Sequence, residues 1–316
     1  MKNTLLFVTF GPGDRKWTLE RILKYYDQFS DEELPYIVIT DQSKETWTEP
    51  SHRVIKAWHH FPTHKYNMYE MWIELCRLYP HEYVCWNNDD DFTTPSGVKM
   101  ANEFLDNNPD YSLATGQVVQ FKDDESAITE YGFSEWQKED RNDNDVYSRL
   151  KNIFNNVHVN PHAFFRKETW RAACELVLAS HGEGNNFGPV KFWDKVITYV
   201  AAVDGYRKTN LNCVSSVRTN RASTNEIVKI AKDYHNILEK DTPYIKIYDR
   251  LKVGGNRIER YLYEKYPDAE KVGVDFLLNI FDSKNIDFGE IDHSFKFPSL
   301  TSTGREEIER VRGILA

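Results

Sequence analysis

Three adjacent carboxylates, Asp89-Asp90-Asp91, follow the apolar run Tyr83-Val84-Cys85-Trp86. Like charges in a row repel one another, so they need a counter-charge or full solvation. Successive side chains of an extended segment point to opposite sides. Asp89 and Asp91 therefore share one side, and Asp90 takes the other. Two convergent carboxylates suit Mg²⁺ or Mn²⁺, which binds through one or two carboxylates plus the oxygens of a substrate phosphate. Such an ion would neutralise a diphosphate leaving group as a Lewis acid. The competing reading is a solvated acidic turn leading into a helix at Thr94-Pro95, and the triplet alone leaves both open.

The elements around the triplet must position it. Residues 5–10 and 34–39 are continuous apolar runs, the pattern of strands buried on both faces. Gly11-Pro12-Gly13-Asp14 breaks the first, and Thr40-Asp41-Gln42-Ser43 ends the second. Residues 17–29 and 66–78 carry apolar side chains at helical spacing. Residues 54–58 form a further, weaker strand. Thr94 supplies a capping hydroxyl and Pro95 suits a first helical position, so a helix runs from there to about Leu105. Residues 111–121 return as a strand, 169–179 and 192–202 are helical, and 211–217 are strand-like. Strands alternating with helices predict an α/β fold, three-layer α/β/α with a mostly parallel central sheet and right-handed crossovers. Ligands bind such sheets beyond the carboxyl ends of the strands. There the polar clusters 11–15, 41–43 and 89–91 would face one cleft. Residues 122–145 read as a long loop or mobile flap, and the region after about Asn225 as helices broken by Pro and Gly.

With 316 residues, one α/β domain plus an appended subdomain is expected. The net charge of −9 disfavours a protein living on bulk nucleic-acid contacts. Arg207-Lys208, Arg218 and Arg221 could still form a local basic edge. Cys76, Cys85, Cys174 and Cys213 make no metal-type spacing, so buried free thiols in a reducing compartment are expected. The first apolar run is too short for a secretory signal, and no stretch approaches a membrane span. A soluble, cytoplasmic protein is the expectation.

Asn88-Asp89-Asp90-Asp91-Phe92, then Pro95-Ser96-Gly97, a helix and Asn108-Pro109-Asp110-Tyr111, resembles the DxD region of GT-A fold glycosyltransferases. It is closest to their family-2-like group. Val8-Thr9-Phe10 with Arg15 resembles the first strand and the segment after it, although Gly11-Pro12-Gly13 replaces the usual residues. Ile39-Thr40-Asp41-Gln42-Ser43 resembles the strand end that contacts the nucleotide base. Phe192-Trp193-Asp194 resembles the acidic residue that serves as base, and Val217-Arg218 a later strand end bearing an Arg near the active site. The resemblance covers roughly residues 4–222. It implies a GT-A catalytic domain over residues 1–222, with a nucleotide-sugar-binding half at 1–121 and an acceptor-binding half at 122–222. A helical subdomain, 223–316, would follow. The implied reaction is metal-dependent transfer of a hexosyl or pentosyl group from a nucleotide-diphosphate sugar to an acceptor hydroxyl, with inversion.

Under that resemblance each residue has a role. Asp91 ligates Mn²⁺ or Mg²⁺, Asp89 touches the metal or the donor ribose, and Asp90 supports the donor loop. Thr9 and Arg15 meet the donor from the first strand. Asp41 accepts hydrogen bonds from base or ribose, or else makes an ordinary Asx turn. Arg218 and Arg221 hold the diphosphate by charge-assisted hydrogen bonds. Asp194 is the general base that takes the acceptor proton, with Glu183 as substitute; the plain alternative is a carboxylate favouring a helix N-terminus. His158 or His162 could be a third metal ligand. Trp136, Trp170 and Trp193 form an acceptor platform or belong to the core. Other classes stay open: a nucleotidyltransferase acting on a sugar phosphate, a glycosyltransferase for a hydroxymethylated DNA base, and a non-catalytic nucleotide-sugar-binding protein. The sequence names no acceptor, no donor sugar, no anomeric outcome and no oligomeric state.

Overall fold

The computed structural model describes residues 3–10, 16–43, 51–62, 65–121, 128–129, 144, 149, 162–181, 193–219 and 301–315. In chain order the elements are β1 (Thr4–Phe10), α1 (Lys16–Tyr26), β2 (Tyr36–Asp41), β3 (Ala57–His60), α2 (Met68–Leu78), β4 (Tyr83–Asn88) and β5 (Asp91–Thr93). There follow α3 (Pro95–Asn107), β6 (Tyr111–Ala114), β7 (Gln117–Phe121), β8 (Ile128–Thr129), β9 (Phe164–Arg166) and α4 (Lys167–His181). The last are α5 (Trp193–Asp204), β10 (Tyr206–Lys208), β11 (Val214–Thr219) and α6 (Ser302–Leu315).

A seven-stranded sheet runs in the order β10-β6-β9-β4-β1-β2-β3. It is parallel except for β9, which opposes both β4 and β6. Every residue of β1 is buried. Leu5 and Phe7 face a layer containing Trp72 of α2, Trp170 of α4 and Val200 of α5. Leu6, Val8 and Phe10 face the other layer, with Ile22 of α1, Val98 of α3 and Val311 of α6. Burial on both faces is why these strands read as unbroken apolar runs. The chain steps from β1 outward to β2 and β3, then returns to place β4 on the other side of β1. In open α/β sheets such a reversal marks the crevice where ligands usually bind, here beyond the carboxyl ends of β1 and β4.

Two expected strands differ in the structure. The strand anticipated over 54–58 lies at Ala57–His60. Arg53 ties the preceding segment into a turn, with Nε 2.7 Å from Asp27 and Nη1 2.8 Å from Asp31. The single strand anticipated over 111–121 is two strands, β6 in the central sheet and β7 in a second sheet of order β5-β11-β7-β8. The chain changes sheets at Gly116, where an added Cβ would stand 2.4 Å from the Cys213 carbonyl oxygen. Only glycine lets the two backbones approach so closely.

The start of α3 is pinned from three sides. Thr94 Oγ1 accepts the Gly97 N–H at 3.1 Å as an N-cap and donates to the Val214 carbonyl. A Cβ on Gly97 would meet that carbonyl at 2.8 Å, so β11 lies directly against this turn. From α6, Glu307 accepts from the Ser96 N–H at 2.9 Å and from the Ser96 hydroxyl. Ile308, Val311 and Leu315 of α6 pack into the same core cluster as Leu19 and Ile22. The last helix is thus part of the α/β body. All four cysteines are buried free thiols. No helix among the described residues is long and apolar enough to cross a membrane.

Burial pushes the Glu307 carboxyl up, and the Ser96 hydrogen bonds pull it only partly back. A raised folded-state pKa means a contribution fully present below the unfolded value and lost as pH rises through the folded one. Glu307→Ala, which removes the cap, should cost about 1–2 kcal/mol. Glu307→Gln should equal or exceed the wild type at neutral pH, with the gap closing under acid. Urea unfolding of the three proteins at neutral and acid pH checks the order.

Candidate functional site

At the switch point Thr9 of β1 lies opposite Asn88 of β4. The chain then turns through Asp89 and Asp90 and enters β5 at Asp91. Asn87, fully buried, donates from Nδ2 to the Asp91 carbonyl and closes this turn. Asp89 and Asp91 are buried and Asp90 is half-buried. Asp89 accepts from the Thr18 hydroxyl at 3.0 Å, in the first turn of α1. The positive end of a helix dipole favours an anion there.

Asp91 meets different partners. It sits opposite Arg218 in the antiparallel pair of β5 and β11. Its Oδ2 is 3.4 Å from Arg218 Nε and 3.5 Å from His162 Nε2. The Arg218 side chain is 39% exposed against 2% for Asp91, so the cation reaches from the buried carboxylate toward solvent. His162 is stacked on Trp86, with ring centroids 5.2 Å apart and planes at 13°. Its Nδ1 lies 3.2 Å from the Trp86 carbonyl oxygen. A carbonyl only accepts, so Nδ1 carries the proton of the neutral ring and Nε2 turns its lone pair toward Asp91.

The distance alone would permit an imidazolium–carboxylate pair. However, burial first, and then the charge of Arg218, hold the His162 pKa well below the usual value despite the Trp86 hydrogen bond. The ring is therefore neutral at pH 7, and two electron-rich atoms face each other. A carboxylate oxygen beside an imidazole nitrogen, whose other nitrogen is fixed by a carbonyl, is a ligand pair that divalent metals use. A mixed oxygen–nitrogen pair suits Mn²⁺ better than Mg²⁺, which prefers oxygens. Among the described residues no group of three His, Cys, Asp or Glu could hold a metal. An ion held by Asp91 and His162 would need further ligands from substrate oxygens and water.

Behind this pair runs a line of hydrogen bonds. The Trp86 indole N–H donates to Thr9 Oγ1 at 2.9 Å, and the Thr40 hydroxyl lies 3.1 Å from Thr9 Oγ1. Thr9 therefore props Trp86, which in turn carries His162. Asp41, at the end of β2, accepts from the Ser43 N–H at 2.9 Å and from the Ser43 hydroxyl, an Asx turn. The His60 ring lies 2.9 Å from the Ser43 carbonyl and steadies that turn.

The fold thus brings Asp91, Arg218 and His162 together. It sets Asp89 against α1 and Asp41 at the neighbouring strand end. Asp194 lies in the first turn of α5. Trp170 is fully buried against Trp72 and is core rather than platform. Arg15, Arg221, His158, Glu183, Trp136 and nearly all of 122–145 lie outside the described residues. Trp86, Thr18 and Asn87 were not legible as site residues. Only Trp86 offered a signal, as the last apolar residue before the polar strand end.

No family model matches the chain, and no curated protein sequence matches it. Among solved structures, S. aureus TarS 1-349 in complex with UDP is similar over 86% of this chain and 74% of that one, at 12% identity and a TM-score of 0.42. The same fragment alone is similar over 100% and 90%, at 12% identity and a TM-score of 0.43. Its complex with UDP-GlcNAc is similar over 100% and 90%, at 13% identity and a TM-score of 0.43.

The cluster makes a stability prediction. Arg218→Met removes the cation beside a buried carboxylate and should cost about 1–3 kcal/mol. Asp91→Asn should cost less, because the amide can donate to the neutral His162 Nε2. In the double variant the Arg218 penalty should shrink, since no charge is left uncompensated. Denaturant unfolding of the cycle measures this coupling.

Proposed function

We propose that this chain is a metal-dependent glycosyltransferase that moves a sugar from a nucleotide-diphosphate donor to an acceptor hydroxyl, with inversion. The observation that carries the proposal is Asp91, buried at the crevice beside β4, facing His162 at 3.5 Å and Arg218 at 3.4 Å. A leaving nucleoside diphosphate gains negative charge as its bond to the sugar breaks, and pre-set cations are what stabilise such a group. Asp91 and His162 would hold Mn²⁺ or Mg²⁺, with Asp89 as a further metal or ribose contact. When bound, the ion supplies Lewis-acid neutralisation of the diphosphate. Arg218 adds a fixed positive charge, and Arg15 and Arg221 are proposed to add theirs. Asp41 is assigned to the nucleoside, Asp90 supports the donor loop, and Thr9 supports the donor pocket by holding Trp86. Asp194 takes the acceptor hydroxyl proton while the diphosphate leaves from the opposite face of the sugar.

The test is nucleoside diphosphate release from a panel of nucleotide sugars, with Mn²⁺ or Mg²⁺ and with chelator. Release should depend on metal and should vanish in Asp91→Asn while the fold survives. Full activity in excess chelator sinks the metal assignment. Pyrophosphate release from a nucleoside triphosphate and a sugar phosphate would replace the proposal with a nucleotidyltransferase. Asp194→Asn should lower turnover about 10²–10⁴-fold with donor affinity near normal. Unchanged turnover removes it as base.

A further inference from the structure

A second concave site lies at the other end of the sheet. It is a cavity of about 340 Å³ lined by Asn107, Asn108, Asp110, Tyr111, Asn144 and Tyr206, together with Pro109. Tyr111 and Tyr206 are the first residues of the parallel strands β6 and β10. The cavity thus opens at the amino ends of the strands, whereas the Asp91 crevice opens at the carboxyl ends. At about 3.3 Å per residue, a strand of five or six residues separates the two by about 15–20 Å. One ligand of sugar size cannot occupy both.

The lining is built from behind. Arg149, 7% exposed, donates from Nε to the Ala202 carbonyl at 2.8 Å and from Nη1 to the Asn144 carbonyl at 3.2 Å. Its guanidinium lies 5.2 Å from the centre of the Tyr206 ring. The Tyr206 hydroxyl donates to Asn144 Oδ1 at 3.1 Å, which leaves the amide nitrogen of Asn144 as a donor for the cavity. Asn107 and Asn108 give their amide N–H groups to the Glu103 and Phe104 carbonyls, each at 2.7 Å. Their Oδ1 atoms remain as acceptors, beside the exposed Asp110 carboxylate. The Tyr111 and Tyr206 rings stand 5.5 Å apart, edge to face, and form an aromatic wall.

This chemistry selects its ligand. Acceptors outnumber donors, so a molecule rich in hydroxyl donors fits. The aromatic wall suits aliphatic C–H faces. Among the described residues the one formal charge in the lining is the Asp110 carboxylate, and Arg149 is spent behind the wall, so an anion is disfavoured. The volume sits at the low end of small-ligand sites. The geometry points to a binding site for a neutral saccharide at the amino edge of the sheet, separate from the transfer crevice. The inference does not depend on the chain being a transferase.

Saturation-transfer NMR and calorimetry on the full chain test it with glucose, galactose, mannose, N-acetylglucosamine, lactose and cellobiose, and with glucose 1-phosphate as the anionic control. At least one neutral sugar should bind saturably with a millimolar Kd, and glucose 1-phosphate more weakly. Asp110→Ala and Asn107→Ala should each weaken binding about tenfold. Both side chains are exposed, so unfolding midpoints should not move. Arg218→Met should leave sugar binding intact. The inference is overturned if no neutral sugar binds saturably, or if Asp110→Ala binds like the wild type. It is equally overturned if binding is lost in Arg218→Met and kept in Asp110→Ala, which would put the sugar in the crevice. Absence of nucleoside diphosphate release would remove the transferase proposal and leave this one standing.

Discussion

A carboxylate held at 2% exposure needs a positive partner if it is to stay charged, and Asp91 has one in Arg218 at 3.4 Å. The two residues are 127 positions apart in the chain. They meet because β5, only three residues long, pairs antiparallel with β11. That pairing obliges the chain to leave the central sheet after β6 and build a second, smaller one. The glycine at 116 and the parallel pairing of β7 with β11 follow from the same demand. A site assembled at the junction of two sheets inherits the rigidity of both, which is what pre-set electrostatics require.

The remaining contacts stop β5 from shifting. Ahead of it, the Asn87 amide closes the turn. Alongside it, the Tyr26 hydroxyl donates to the Thr93 carbonyl at 3.0 Å. Beyond it, Thr94 is tied to β11 and Ser96 to Glu307. On the opposite face of β4, Thr9 and Trp86 fix the tilt of the His162 ring. Of the described partners of Asp91, Arg218 is thus held within β11 and His162 by Trp86 of β4.

The central strands were legible because β1 and β2 are buried on both faces, which leaves an unbroken apolar signature. The start of α3 was legible because Thr94 and Pro95 have strong local preferences. Asp89 and Asp91 are buried around a half-buried Asp90, but residues 89–90 form a turn rather than the extended segment expected, and the two carboxylates meet different partners. What sequence could not convey was pairing over distance. Nothing local distinguishes residues 111–114 from 117–121, since both are apolar and extended; the break is a backbone contact between Gly116 and Cys213. His162 was one of two equivalent histidines around Asn160-Pro161 until the fold stacked it on Trp86. Trp86 itself looked like core, and it is core, yet its carbonyl and indole orient the site. The role of residues 302–315 was invisible for the same reason, because Glu307 acts on a helix more than two hundred residues earlier.

That separation has a consequence for how the protein comes into being. Ser96 and Glu307 lie 211 positions apart. A ribosome adding about 5–20 residues per second needs roughly 10–40 s to cover that distance. During that interval the nascent chain holds a helix start lacking its clasp and, for the earlier part of it, an acidic turn awaiting its arginine. The apolar flanks of α1 and α3, which α6 will cover, stay open to water or to a chaperone. The acidic strand end is laid down early in synthesis but becomes a site only when far younger parts of the chain arrive.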